Sequence, residues 1–109
     1  MLDRAHEYVI VFTTVASEEQ ATAIAKSLLN DKLAACVNIF PVQSLYTWQG
    51  KIDIDREWQL IIKTRQQLFS ELSTKIRSLH EYEVPEIILT PIVDGSPSYL
   101  QWLADNTKH

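Results

Sequence analysis

The chain has 109 residues, with fourteen acidic and ten basic side chains and a net charge of −4. That length allows one domain, 1–109, with a modest core. No two basic residues are adjacent, which argues against nucleic acid, a partner that demands a footprint of Lys and Arg. The longest apolar runs, 8–12 and 33–37, are too short to cross a bilayer, so no membrane partner is expected. Residues 1–7, MLDRAHE, lack the apolar centre of a signal peptide.

Residues 7–14, EYVIVFTT, are β-branched and aromatic and predict the first strand. Ser17 and Gln20 have capping-box spacing, with Glu18 and Glu19 in the first turn, where the helix dipole favours anions. Ala21, Ile24, Ala25, Leu28 and Leu29 then recur at helical spacing, predicting an amphipathic helix over 18–32. A second strand spans 34–40 and resumes over 42–48; Pro41, lacking an N–H, should kink it or mark a bulge or an edge.

Residues 34–65 read as one long β-hairpin folded about Gly50. On the returning strand Ile52, Ile54, Trp58, Leu60 and Ile62 share one face, with Arg56 intruding. Asp53, Asp55, Glu57, Gln59 and Lys63 share the other, with Ile61 intruding. Thirteen extended residues, 51–63, span about 43 Å. A compact chain of this size has a radius of gyration near ~13 Å and a diameter of about 34 Å. The tip should therefore overhang, carrying Leu45, Tyr46, Trp48, Ile52 and Ile54. An apolar tip that one copy cannot cover needs a partner, so an oligomer is expected.

Thr64 and Gln67 offer a second capping box, and Leu68, Leu72, Ile76 and Leu79 predict a helix over 66–79. A fourth strand is expected over 86–93, with Pro91 at an edge or bulge. Ser96-Pro97 then opens a short last helix through Asp105, with Tyr99, Leu100, Trp102 and Leu103 as its apolar residues. The order β-α-β-β-α-β-α predicts an α+β fold, the ferredoxin-like plait: an antiparallel sheet with two helices on one face. Its other face is a second reason to associate.

The chemistry is sparse. Two glycines, Gly50 and Gly95, cannot build a phosphate-cradling loop, and there is no G-x-S-x-G elbow and no pair of cysteines. The single cysteine, Cys36, fits a reducing cytoplasm. No nucleophile has an identifiable base, so an enzyme is not expected.

Four motifs in order, ACVNIFPVQSLYTWQGKI, EWQLIIKT, HEYEVPEI and SYLQWL, resemble the CutA divalent-cation tolerance family over essentially the whole chain. The resemblance implies a homotrimer of ferredoxin-like subunits, similar to the PII signalling proteins, with long hairpins stitching the copies together. It also implies a role in tolerance of copper and other divalent metals. The copper ligands assigned to some members are a cysteine ending the first strand and a His-His pair opening an H-P-Y motif. Here those positions hold Thr13 and Leu79-His80, and Glu81 replaces the proline; two of three ligands are absent.

His80 therefore has two readings. Beside Glu81, Glu83 and Glu86 it can hold a divalent cation, copper or zinc; alternatively it caps the preceding helix while the glutamates are solvated charge. Cys36 is a soft metal ligand or, as isolated strand cysteines usually are, a small buried hydrophobe. Tyr46, Trp48, Trp58 and Tyr82 pack an interface or line an intersubunit cleft. The resemblance puts Glu57, Lys63 and Glu86 in that cleft as well. The leading expectation is a non-enzymatic trimer in divalent-cation homeostasis that binds metal weakly or between subunits. The alternative is a PII-like adaptor holding a small metabolite in the cleft.

Overall fold

Strict alternation in β1 (Tyr8–Val15) puts Val9, Val11, Thr13 and Val15 on one side, all fully buried. They are seen in a computed structural model that describes residues 7–109. α1 (Glu18–Asn30) starts where the Ser17 hydroxyl accepts from the Gln20 N–H at 3.1 Å. It ends two residues earlier than the periodicity predicts, because Lys32 turns left-handed at φ 57°. Lys32 and Leu33 then donate back to the Leu29 and Leu28 carbonyls, a Schellman closure of the helix end.

β2 (Cys36–Trp48) and β3 (Lys51–Arg65) form the long hairpin. Their two-residue turn has Gln49 at φ 51° and Gly50 at φ 78°, the pair of positive values that a type I′ turn requires. A Cβ on Gly50 would meet nothing, so its requirement is conformational. Pro41 neither kinks nor bulges the ladder: the register runs unbroken, with Pro41 opposite Trp58. β2 is the sheet's outer strand, where a missing N–H is tolerated.

The sheet order is β2-β3-β1-β4, antiparallel throughout, as the ferredoxin-like plait requires. α1 and α2 (Phe69–Leu79) cover one face, where Ile24, Leu28, Leu72 and Ile76 meet Val9, Val11, Leu60 and Ile62. The other face leaves Phe40 and Ile88 open at 40% and 54% exposure. β4 (Ile88–Pro91) is half the expected length, since β1 pairs with it only from Val9 to Phe12. α3 (Pro97–Asp105) follows, with Pro97 in its first turn.

The expected capping box at Thr64 and Gln67 does not form. Thr64 is fully buried and its hydroxyl donates to the Leu33 carbonyl at 2.6 Å, so it cannot turn to the helix end. A 3-10 turn, Gln66–Leu68, leads into α2 instead. Arg65 is also buried, and donates to Thr107 Oγ1 at 2.9 Å and to the Lys108 carbonyl, tying down the C-terminus.

The hairpin sets the shape. β1 reaches only as far as Trp58 on β3, so residues 51–57 pair with β2 alone. The longest dimension is 44 Å and the radius of gyration 14.7 Å, above the ~13 Å of a compact chain this size. Thr13 leaves a further mark: its hydroxyl is fully buried with no partner among the described residues. Thr13→Val keeps the shape and removes the orphan, and is expected to stabilise by about 1 kcal/mol. A urea midpoint at or below that of the parent would refute this.

Candidate functional site

Strand alternation lines up Asp53, Asp55 and Glu57 on the hairpin face away from the helices, opposite Tyr46, Ser44 and Val42 of β2. Successive carboxylates on one face lie about 7 Å apart. The loop after α2 runs alongside, and Tyr82 Oη donates to Glu57 Oε2 at 2.7 Å. Tyr46 Oη donates to the Asp55 carboxylate. With Thr14, Gln43, Ser44, Leu45, Trp48, Glu83, Val84 and Glu86 these residues line a cleft of about 770 Å³.

Its electrostatics are one-sided. Asp53, Asp55, Glu57, Glu83 and Glu86 line it, and among the described residues no Lys, Arg or His does. The hydrogen bond to Asp55 is the chief reason that the Tyr46 phenol is pushed up to about 12, with burial and nearby carboxylates adding to it. Burial first, then the bond to Glu57, raises Tyr82 further still. A phenolate in either place would face a carboxylate, so both phenols are held as donors. Glu57, at 8% exposure, has its carboxyl group held by the Tyr82 hydroxyl, which donates to it.

His80 is the C-cap of α2, and its N–H donates to the Ile76 carbonyl at 2.8 Å. Both ring nitrogens are occupied: Nδ1 accepts from the Tyr82 N–H at 3.0 Å, and Nε2 meets the Thr14 carbonyl at 2.7 Å. A carbonyl can only accept, so Nε2 carries the proton. The ring also lies 4.8 Å from that of Tyr82. Glu81, Glu83 and Glu86 are exposed and do not gather round it. Among the described residues no three His, Cys, Asp or Glu side chains converge as a metal site. Thr13, at the cysteine's place in the copper set, faces the core.

The single chain thus brings Tyr46, Trp48, Glu57, Tyr82 and Glu86 to one cleft, and leaves Trp58 and Lys63 out of it. Trp58 is one residue from Glu57 and so points to the helix side, where it packs on the core. Lys63 stands opposite Cys36, six residues and about 20 Å along the strand from Glu57. Cys36 is half-buried outside the main core, a correction to its reading as a core hydrophobe. It sits beside Tyr99, whose phenol is raised by burial and by this thiol. Asp53, Asp55 and Glu83 were not singled out by sequence reasoning as cleft residues. The period-2 polar face carried the signal for the first two.

Residues 9–106 match the family model of the CutA1 divalent ion tolerance protein. The chain belongs to the CutA1 family. It is 48% identical to the divalent-cation tolerance protein CutA of Thermus thermophilus, over 90% of this chain and 96% of that protein. It is 46% identical to the chloroplastic CutA of Arabidopsis thaliana, over 93% of this chain, but spans only 56% of that longer protein. CutA1 from Oryza sativa superposes with a TM-score of 0.92 at 42% identity, covering 96% and 97% of the two chains. CutA1 from Pyrococcus horikoshii gives 0.89 at 40%, covering 93% and 99%. Membership of CutA1 supports a role in divalent-cation tolerance.

The tyrosine–carboxylate pairs have a pH signature. Folding raises the Tyr46 phenol from its ordinary 10.0 to about 12. Its tie to Asp55 is therefore intact below about pH 10 and lost as pH climbs through about 12. Alkaline titration by tyrosinate absorbance should show Tyr46 and Tyr82 ionising late, with Asp55→Asn bringing Tyr46 back toward the ordinary range. An unchanged curve in that variant would contradict the pairing.

Proposed function

We propose that this CutA1 chain acts as a non-enzymatic homotrimer in divalent-cation homeostasis, with the cation held loosely in the acidic cleft and the cleft completed by neighbouring copies. The observation that carries this reading is the cleft itself: among the described residues it has five carboxylates, two phenols and no basic group. The trimer is supported by the hairpin tip, where Leu45, Trp48, Ile52 and Ile54 are each more than half exposed, and by the family's resemblance to PII proteins.

The donor set favours one class of cation. Carboxylate and phenol oxygens suit hard ions such as Mn²⁺, Ca²⁺ or Mg²⁺, whereas copper and zinc seek imidazole or thiolate. His80 has no ring nitrogen to spare and Cys36 is remote from the cleft. With no three His, Cys, Asp or Glu side chains converging among the described residues, affinity is expected to be weak. A second reading, a PII-like adaptor, draws on the aromatic walls formed by Tyr46, Trp48 and Tyr82. Such a cleft suits a small organic cation better than an anionic metabolite.

Titration of the metal-free protein with Mn²⁺, read by electron paramagnetic resonance, tests the proposal. Saturable weak binding, reduced about tenfold by Glu57→Gln, is expected from losing one charged oxygen ligand. Binding indifferent to that substitution, or tight Cu²⁺ binding with no Mn²⁺ uptake, would overturn it.

A further inference from the structure

The loop that walls the cleft has one side chain whose geometry is over-determined. His80 joins three separate pieces of backbone: its N–H closes α2 onto Ile76, Nε2 reaches the Thr14 carbonyl at the end of β1, and Nδ1 receives the Tyr82 N–H. Two residues on, Tyr82 hydroxyl reaches Glu57, the innermost carboxylate of the cleft. The chain of contacts therefore runs from β1, through the imidazole, to the Tyr82 backbone, and from the Tyr82 ring to Glu57.

We infer that His80 is a positioning residue, a two-ended latch that holds the Tyr82 segment against Glu57 and thereby sets the cation affinity of the cleft. A transition-metal ion can take the imidazole only by undoing the latch, since each ring nitrogen already has a backbone partner of fixed polarity. A metal that seeks nitrogen then opposes the cleft instead of filling it, and an oxygen-seeking cation leaves the latch closed. The affinity part of this inference rests on the cleft being the cation site; the latch does not.

Substitutions separate latch from ligand. His80→Ala removes both bonds. His80→Asn keeps an acceptor that can receive the N–H two residues on, the common Asx-turn geometry, but Asn is a poor substitute for imidazole as a ligand of copper or zinc. Amide hydrogen exchange at Tyr82 reads the Nδ1 bond directly, and Mn²⁺ titration reads the cleft. In His80→Ala the Tyr82 amide should exchange about tenfold faster and Mn²⁺ affinity should fall about fivefold, the scale of one or two lost hydrogen bonds. The Val11 amide, deep in the sheet, should not change. His80→Asn should restore protection of the Tyr82 amide but only part of the Mn²⁺ affinity, because the tie to the Thr14 carbonyl is not replaced.

Unchanged Tyr82 exchange in His80→Ala, or a His80→Asn as impaired as the alanine variant, would overturn the latch. So would Zn²⁺ bound at His80 of the wild type with the Tyr82 amide still protected. Nitrogen NMR of the wild-type imidazole decides the matter even if the alanine variant does not fold: a protonated Nε2 with an accepting Nδ1 is expected, and the reverse tautomer is fatal to the idea. If the wild type takes up no Mn²⁺, the cleft reading fails while the exchange and tautomer data still settle the latch.

Discussion

Beyond Trp58 the returning strand of the hairpin has no β1 beside it, only β2. A two-stranded ribbon is marginal in water when neither face is covered. Here one face carries Ile52 and Ile54, exposed at 74% and 58%, and the other carries three carboxylates. The type I′ turn at Gln49 and Gly50 keeps the ribbon tightly twisted to its end. The surface that remains to be explained, apolar tip and acidic cleft alike, arises from this ribbon projecting past its own sheet. In the proposed trimer, further copies would cover the apolar tip and complete the cleft.

The cleft's character comes from what the ribbon places together. Alternation alone stacks Asp53, Asp55 and Glu57 on one side, and two tyrosines donate to two of those carboxylates. Each phenol is thereby fixed as a donor, and the side chains that the described residues offer the pocket as donors to a cation are oxygen groups, five of them carboxyls. The sign of carboxylate charge favours cations of any kind. The hardness of the oxygens, rather than the sign, is what separates manganese or calcium from copper.

Much of this was legible in the sequence, for identifiable reasons. The strands, the hairpin about Gly50 and the two helices under the sheet followed from periodicity, and Ser17 with the Gln20 N–H formed its cap. Thr64 and Gln67 matched a capping box in spacing, yet burial of Thr64 against Leu33 overrode that local preference. Trp58 is expected from sequence to pack an interface or line an intersubunit cleft; within its own chain, parity along the strand puts it on the helix side. Cys36 followed the statistics of lone cysteines and instead sits at the start of an edge strand. The wiring of His80 was beyond reach, because Thr14 lies 66 residues away and its carbonyl has no sequence signature. Contacts made by backbone atoms across such separations become visible only once the sheet is assembled.

The proposed trimer needs the ribbon to be a surface for other copies of the chain. Solution mass by light scattering, followed through dilution into the micromolar range and compared with Ile54→Asp, tests it most directly. The account predicts the mass of three chains for the parent and a shift toward smaller species for the variant, since a charge there would be trapped unpaired in a dry contact. A parent that runs as a folded monomer at micromolar concentration would contradict it.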